Sequence, residues 1–226
     1  RQQKINCGIH LSGETAEVNR GMLEQMLPFR IRRVIFHRKN SLEDMQSCIK
    51  FVNDKKINYK CDMKENIEEK YMFPDEYEAF ILNELCHFSG AFCNSLHCDE
   101  LTHLCRVPYE LGNLHKKEET DAAQKDVAET DRIQEKEGKG LPLDEDGYLT
   151  GSTGCGLCAL YRMKQVGITH LKLVGRGNYT DFMEKDIRQL RKALDILEKS
   201  DNELQYQREM KASLFPDGCS QNCYYR

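Results

Sequence analysis

His170-Leu171-Lys172-Leu173-Val174 runs into Gly175-Arg176-Gly177, and from about Asp181 to Ser200 apolar residues then recur at Met183, Ile187, Leu190, Leu194 and Leu197. The first run reads as a strand closed by glycines, the second as a helix with one buried face. Asp181 and Glu184, three residues apart at its start, predict a capping box. A strand that feeds directly into such a helix belongs to a parallel sheet, because a parallel crossover needs a helix-length connection. The same unit recurs upstream. Ile5-Asn6-Cys7-Gly8-Ile9-His10-Leu11 alternates as a strand and is followed by helical positions Met22, Leu23, Met26 and Leu27. Arg33-Val34-Ile35-Phe36-His37 is a second strand, and Ser41-Leu42-Glu43-Asp44 opens a helix that carries Leu42, Met45, Ile49 and Val52 on one side. Tyr77-Glu78-Ala79-Phe80-Ile81-Leu82 is a third strand, and His170–Val174 is then the fourth. The class is α/β. A closed eight-stranded barrel takes about 250 residues, so four strands plus a long insertion amount to half a barrel with decoration.

The whole chain is 226 residues with a formal charge of −4, 39% hydrophobic and 31% charged. A slightly acidic balance excludes a broad nonspecific nucleic-acid coat but not a local basic pocket. No stretch approaches the roughly 18 uninterrupted apolar residues of a membrane span, so no membrane partner is expected. The opening Arg1-Gln2-Gln3-Lys4-Ile5-Asn6 has no Met, no apolar signal core and no cleavage pattern. The expectation is a cytoplasmic protein whose natural start lies before residue 1. Four segments follow: 1–112 with three strands and the first cysteine group, a charged insertion or arm at 113–147, the second cysteine group with the last strand and helix at 148–200, and a polar tail at 201–226. The insertion, with Lys116-Lys117-Glu118-Glu119 and few large apolar residues, reads as a solvated helix or arm.

Eleven cysteines in a chain long enough to bury its own core, with no export signal, point to thiolate ligation of a metal, because cytosolic glutathione keeps simple disulfides reduced. Eight fall in groups: Cys86, Cys93, Cys98 and Cys105; Cys155 and Cys158; Cys219 and Cys223. Cys7, Cys48 and Cys61 stand alone and read as small buried hydrophobes. The first group follows the third strand, and sites in parallel sheets gather at the carboxyl ends of strands. A Cys-x-x-Cys turn such as Cys155–Cys158 lets two thiolates converge on zinc or an iron–sulfur cluster. The six-residue gaps between Cys86 and Cys93 and between Cys98 and Cys105 suit a cluster better than a zinc ribbon. A thioredoxin-like role for Cys155 and Cys158 is the third reading, disfavoured by the loop glycines Gly154 and Gly156.

Glu78-Ala79-Phe80-Ile81-Leu82-Asn83-Glu84-Leu85-Cys86, followed by Cys93, resembles the signature of the collagenase-like peptidase family U32, in which Glu-x-Phe leads to one Cys and then another. Leu171-Lys172-Leu173-Val174-Gly175-Arg176 is similar to that family's Lys-Ile-Glu-Gly-Arg strand. Leu157-Cys158-Ala159-Leu160 and Val166-Gly167-Ile168 fit the helix and turn that precede it. Arg33–Arg38 with Ser41-Leu42-Glu43 resembles the family's sixth barrel strand, and Ile9-His10-Leu11-Ser12 its fifth. The resemblance implies the C-terminal half of a TIM-like (β/α)8 barrel, strands five to eight. The first four strands would come from a missing N-terminal half-barrel, or a homo-oligomer would close the structure. It also implies a four-iron four-sulfur cluster, with zinc as the alternative, since characterised relatives support oxygen-independent hydroxylation of RNA bases or of a quinone precursor.

On that resemblance Cys86 and Cys93 are the first two cluster ligands, Cys105 the third and Cys155 the fourth, with Cys98 and Cys158 as alternatives. Asn83 and Glu84 depart from the signature, Ala91 stands in place of its Gly, and Val174 replaces the Glu of the last strand. Lys172 and Arg176 would line the barrel mouth, and Arg38 would hold an anionic group of an RNA or small-molecule substrate through its planar fork. His10 and His37 could carry protons. There is no Gly-x-Ser-x-Gly and no His-Glu-x-x-His. A metal- or thiol-dependent peptidase would draw on a Cys with His87, His97 or His103 as base. A noncatalytic cluster-bearing scaffold that binds a partner through 113–147 is the remaining hypothesis.

Overall fold

The computed structural model describes residues 7–13, 15, 17–61 (backbone alone at 59–61), 73–83, 143, 145, 147–174 and 179–225. The chain divides into two compact units, residues 1–93 with 142–226, and residues 94–141. The second unit, and with it most of the expected charged insertion, lies outside the described residues.

The first unit is α/β. Its described elements are β1 (Ile9–Leu11), α1 (Arg20–Met26), β2 (Ile31–Ile35), α2 (Leu42–Cys61), β3 (Glu76–Leu82), α3 (Leu160–Val166), β4 (His170–Leu173), α4 (Thr180–Lys199) and α5 (Glu203–Leu214). The four strands form one parallel sheet in the order β1-β2-β3-β4. All four therefore end on the same edge, and the segments leaving that edge are brought together. No described helix is long and apolar enough to cross a membrane.

Strand alternation sorts the two faces. Val34, Tyr77, Ala79 and Ile81 bury on the helix-covered side, packed with Leu23, Met45, Val52, Leu160 and Met163. The opposite side of the same strands carries Arg33, Glu76, Glu78, Phe80 and Lys172, with Arg33 paired to Glu76 (2.7 Å) and Glu78 (2.9 Å). The Arg33 bond holds the Glu76 carboxyl below the usual carboxylate range. This second side is mixed: its charged residues surround Phe80, which is fully buried.

The strand expectations hold with shifted ends. β1 is only Ile9–Leu11, with a register irregularity between Ile9 and His10, and β2 ends at Ile35, leaving Phe36 and His37 in the following loop. The Ser41 start forms as a reciprocal box: the Asp44 N–H donates to Ser41 Oγ (3.0 Å), and the Ser41 N–H donates to Asp44 Oδ2 (3.2 Å). The box expected at Asp181 and Glu184 does not form. α4 begins at Thr180 behind Tyr179, which makes no side-chain cap bond, so Asp181 lies inside the first turn. Of the expected stripe, Leu190, Leu194 and Leu197 pack on the core, and Ile187 is the exception. Ile187 is 56% exposed, while Asp186, Ala193 and Leu197 are the buried residues of the helix, because Asp186 is hydrogen-bonded inward to Asn83 and Tyr148. The segment expected as a polar tail contains α5, capped by Asn202 Oδ1, which accepts from the Gln205 N–H (2.9 Å). Tyr206, Met210 and Leu214, each four residues apart, are its buried face. Of the isolated cysteines, Cys48 is buried in the core as expected, and burial pushes its thiol up to about 11. Cys7 is exposed, against expectation, because the strand begins two residues after it. The Cys61 side chain lies outside the described residues.

Candidate functional site

The site grows from the end of β3. The Gly156 N–H donates to Ile81 O (2.8 Å) and the Asn83 N–H to Gly154 O (3.0 Å), so the loop carrying Cys155 and Cys158 is fastened across the strand's last residues. Leu82 and Cys155 form an antiparallel bridge. On its other side Cys155 bridges Cys223 in parallel: the Cys155 N–H donates to Asn222 O and the Tyr224 N–H to Cys155 O, both at 2.9 Å. Cys155 is thus the middle of a three-segment ladder that begins in the core strand and ends in the C-terminal tail.

Two glycines make this approach possible. Gly154 holds φ +147, and a Cβ there would stand 2.2 Å from the Tyr224 hydroxyl; Gly151 holds φ +74, and its Cβ would stand 2.6 Å from the Cys155 Cβ. Neither conformation suits an L side chain. Further bonds anchor the tail. Ser220 Oγ donates to Gly151 O (2.8 Å), Asn222 Nδ2 to Ser152 O (3.2 Å), and the Tyr225 hydroxyl to Phe80 O (2.9 Å). From α5, the Tyr206 hydroxyl donates to Leu157 O (2.7 Å) and Gln207 Nε2 to Cys158 O (3.3 Å).

As a result, Cys155, Cys158, Cys219 and Cys223 line one small cavity of about 20 Å³, walled by Ala159, Phe215 and Tyr225. A wider cleft shares Cys158, Cys219 and Cys223 and adds Lys211. Burial is the main influence on the two loop thiols. It pushes Cys155 up to about 12, helped by the neighbouring cysteines, and raises Cys158 against the opposing pull of Lys211. A redox-active Cys-x-x-Cys shows the opposite shift. Among the described residues, no three or more His, Cys, Asp or Glu side chains already stand grouped for a single metal ion.

The other expected residues distribute as follows. Arg38 follows β2 and is buried, its Nη1 3.0 Å from His37 Nε2. His37 faces donors at both ring nitrogens, the second being the Lys39 N–H at 3.2 Å from Nδ1. A protonated ring would find no acceptor in either. Desolvation, reinforced by Arg38 and Lys39, lowers His37 to about 4, which removes it as a proton carrier near neutral pH. Lys172 lies on the charged sheet face with Nζ 4.7 Å from the Phe80 ring centre, a cation–π contact. His10 is exposed on β1. Cys86, Cys93, Cys98, Cys105, His87, His97, His103 and Arg176 lie outside the described residues.

Sequence reasoning left the role of Cys219 and Cys223 open and missed Asp186. The Asp186 carboxylate is fully buried; Oδ2 accepts from Asn83 Nδ2 and from the Tyr148 hydroxyl (2.6 Å), while Oδ1 has no hydrogen-bond partner among the described residues. Burial raises its pKa against those hydrogen bonds. The available signal was an acidic residue one turn before Leu190, in line with Ala193 and Leu197.

Comparison with known families matches residues 1–225 to Peptidase family U32. No curated protein and no solved structure gives a significant match.

Proposed function

Because the chain belongs to Peptidase family U32, we propose that it is an iron–sulfur protein supporting oxygen-independent hydroxylation, or a related redox modification, of an RNA base or small aromatic substrate. The observation that carries this reading is the fastening of the Cys155 loop to the end of β3. Cys86 follows Asn83 by three residues, which full extension limits to about 10 Å. The second cysteine group is therefore tied to the strand end from which the first departs. In this reading Cys86, Cys93 and Cys105 hold a four-iron four-sulfur cluster, with the fourth thiolate from Cys155, or in its place Cys158 or Cys98.

When bound, such a cluster supplies one-electron chemistry, and burial and hydrogen bonding around the sulfurs tune it. The chain's own part is to exclude water and to hold the substrate. Phe215, Tyr225 and Ala159 give apolar walls, and the Tyr225 bond to Phe80 O locks one of them to the sheet. Lys172, on the charged face, and Arg38, at the end of β2, offer positive charge to an anionic substrate, with Arg176 expected to join them. The consecutive parallel strands and their charged inner face support strands five to eight of a TIM-like barrel, completed by a half-barrel outside this sequence or by a second copy. A cytoplasmic setting belongs to the same reading.

Peptide hydrolysis is the alternative that the family's name carries. Its candidate bases, His87, His97 and His103, lie outside the described residues. The discriminating experiment is anaerobic purification of Cys86→Ala and Cys93→Ala. The proposal expects each to lose iron and sulfide together. Full iron in both variants, or peptide cleavage by the iron-free protein, would overturn it.

A further inference from the structure

Four cysteines from two distant parts of the chain share one cavity. Cys155 and Cys158 come from the loop after Gly154, and Cys219 and Cys223 from the tail beyond α5. We infer that Cys155, Cys158, Cys219 and Cys223 form a second metal centre, a four-thiolate site for zinc or an iron–sulfur cluster, distinct from the set that begins with Cys86 and Cys93. The inference goes beyond the proposed function and narrows that reading's fourth thiolate to Cys98.

Three observations carry it. The spacing is two short pairs, Cys-x-x-Cys and Cys-x-x-x-Cys, the arrangement by which two turns each direct two sulfurs at one centre. The backbone presents the pairs to each other, since Cys155 and Cys223 are direct partners in the ladder, bonded on both sides of Cys155. The tail is also positioned by groups that do not involve its thiols: Ser220 on Gly151 O, Asn222 on Ser152 O, and Tyr225 on Phe80 O. The scaffold thus holds the four cysteines around one cavity without drawing on their thiols.

The donor set fits soft metals, because thiolates select zinc and iron–sulfur clusters over hard cations. The four thiols share the wall of the cavity, but no three of them already stand grouped for one metal ion, so either metal would draw them inward by side-chain rotation. In either case four thiolates leave excess negative charge, and Lys211, in the last turn of α5, lines the adjoining cleft beside Cys158, Cys219 and Cys223 to offset it. Committing Cys155 and Cys158 here leaves Cys98 as the remaining fourth ligand for the first set.

The test uses the full chain purified anaerobically, then reconstituted with ferrous iron and sulfide in one arm and with zinc alone in the other. Metal content is compared in wild type, in Cys219→Ser with Cys223→Ser, and in Cys86→Ala with Cys93→Ala. The tail variant should lose either its zinc or about half of the iron and sulfide, while the other variant keeps that portion. Which arm restores the loss identifies the metal. Iodoacetamide labelling of wild type, read by peptide mass, does not depend on any variant folding. In the loaded protein Cys155, Cys158, Cys219 and Cys223 should be protected together and released together by chelation, with exposed Cys7 as the reactive reference. Labelling of Cys219 and Cys223 as fast as Cys7 in loaded protein, or unchanged metal in the tail variant, would overturn the second centre. Unchanged metal in Cys86→Ala with Cys93→Ala would instead count against the proposed function alone.

Discussion

Gly154→Ala is the sharpest test of how the tail is seated. At φ +147 an alanine stores backbone strain of about 1–3 kcal/mol. Its Cβ would also meet the Tyr224 hydroxyl at 2.2 Å and the ring carbons at 2.3 and 2.4 Å, so the ring must leave. Forced repacking of this kind costs about a further 1–3 kcal/mol. Gly147→Ala is the matched control. Its φ is +75 with nothing within 4 Å of the added Cβ, so it carries left-handed backbone strain alone, about 1–2 kcal/mol. Urea titration followed by circular dichroism should therefore place Gly154→Ala below Gly147→Ala in midpoint. With slopes of about 1–3 kcal/mol per molar urea, the gap should be on the order of 1 M. The tail labelling at Cys219 and Cys223 should rise only in Gly154→Ala. Equal midpoints and equal labelling in the two variants would refute the packing of Tyr224 against the Cys155 loop.

Three further outcomes follow from the buried polar groups. Tyr148→Phe removes the hydroxyl donated to Asp186 and should cost about 1–3 kcal/mol by urea unfolding. Because burial raises Asp186 above its usual range, the loss should grow as pH rises and the carboxylate charges. His37 is lowered from 6.5 to about 4 in the fold, so its contribution is intact above pH 6.5 and is lost as pH falls toward 4, by on the order of 3 kcal/mol. A His37→Gln variant should have a flatter stability profile across that window, and an unchanged slope would contradict the buried neutral ring. Tyr206→Phe deletes the buried bond to Leu157 O and should lower stability by about 1 kcal/mol, measured by thermal unfolding, while the far-ultraviolet spectrum is retained.

The sheet was legible because its information is local. Val34 and Ala79 each follow a charged residue, Phe80-Ile81-Leu82 is a continuous buried run, and the Leu42-Met45-Ile49-Val52 spacing records the helix that covers the sheet. The burial of Asp186 in place of Ile187 on α4 was not legible, since it depends on Asn83 and Tyr148, distant in sequence. α5 could have been read from Asn202 and the four-residue spacing of Tyr206, Met210 and Leu214, but the polar residues between them obscured a narrow face. The cysteine groups were visible as groups. What joined Cys155 to Cys223 was backbone pairing across 68 positions made possible by glycine at 154, and no spacing rule encodes that.

The most direct measurement is iron, acid-labile sulfide and zinc content of the anaerobically purified wild-type chain, with electron paramagnetic resonance before and after dithionite. The account predicts iron and sulfide in equal amounts and a signal that changes on reduction. Zinc as the sole metal, or a protein without metal that hydrolyses peptides, would contradict it.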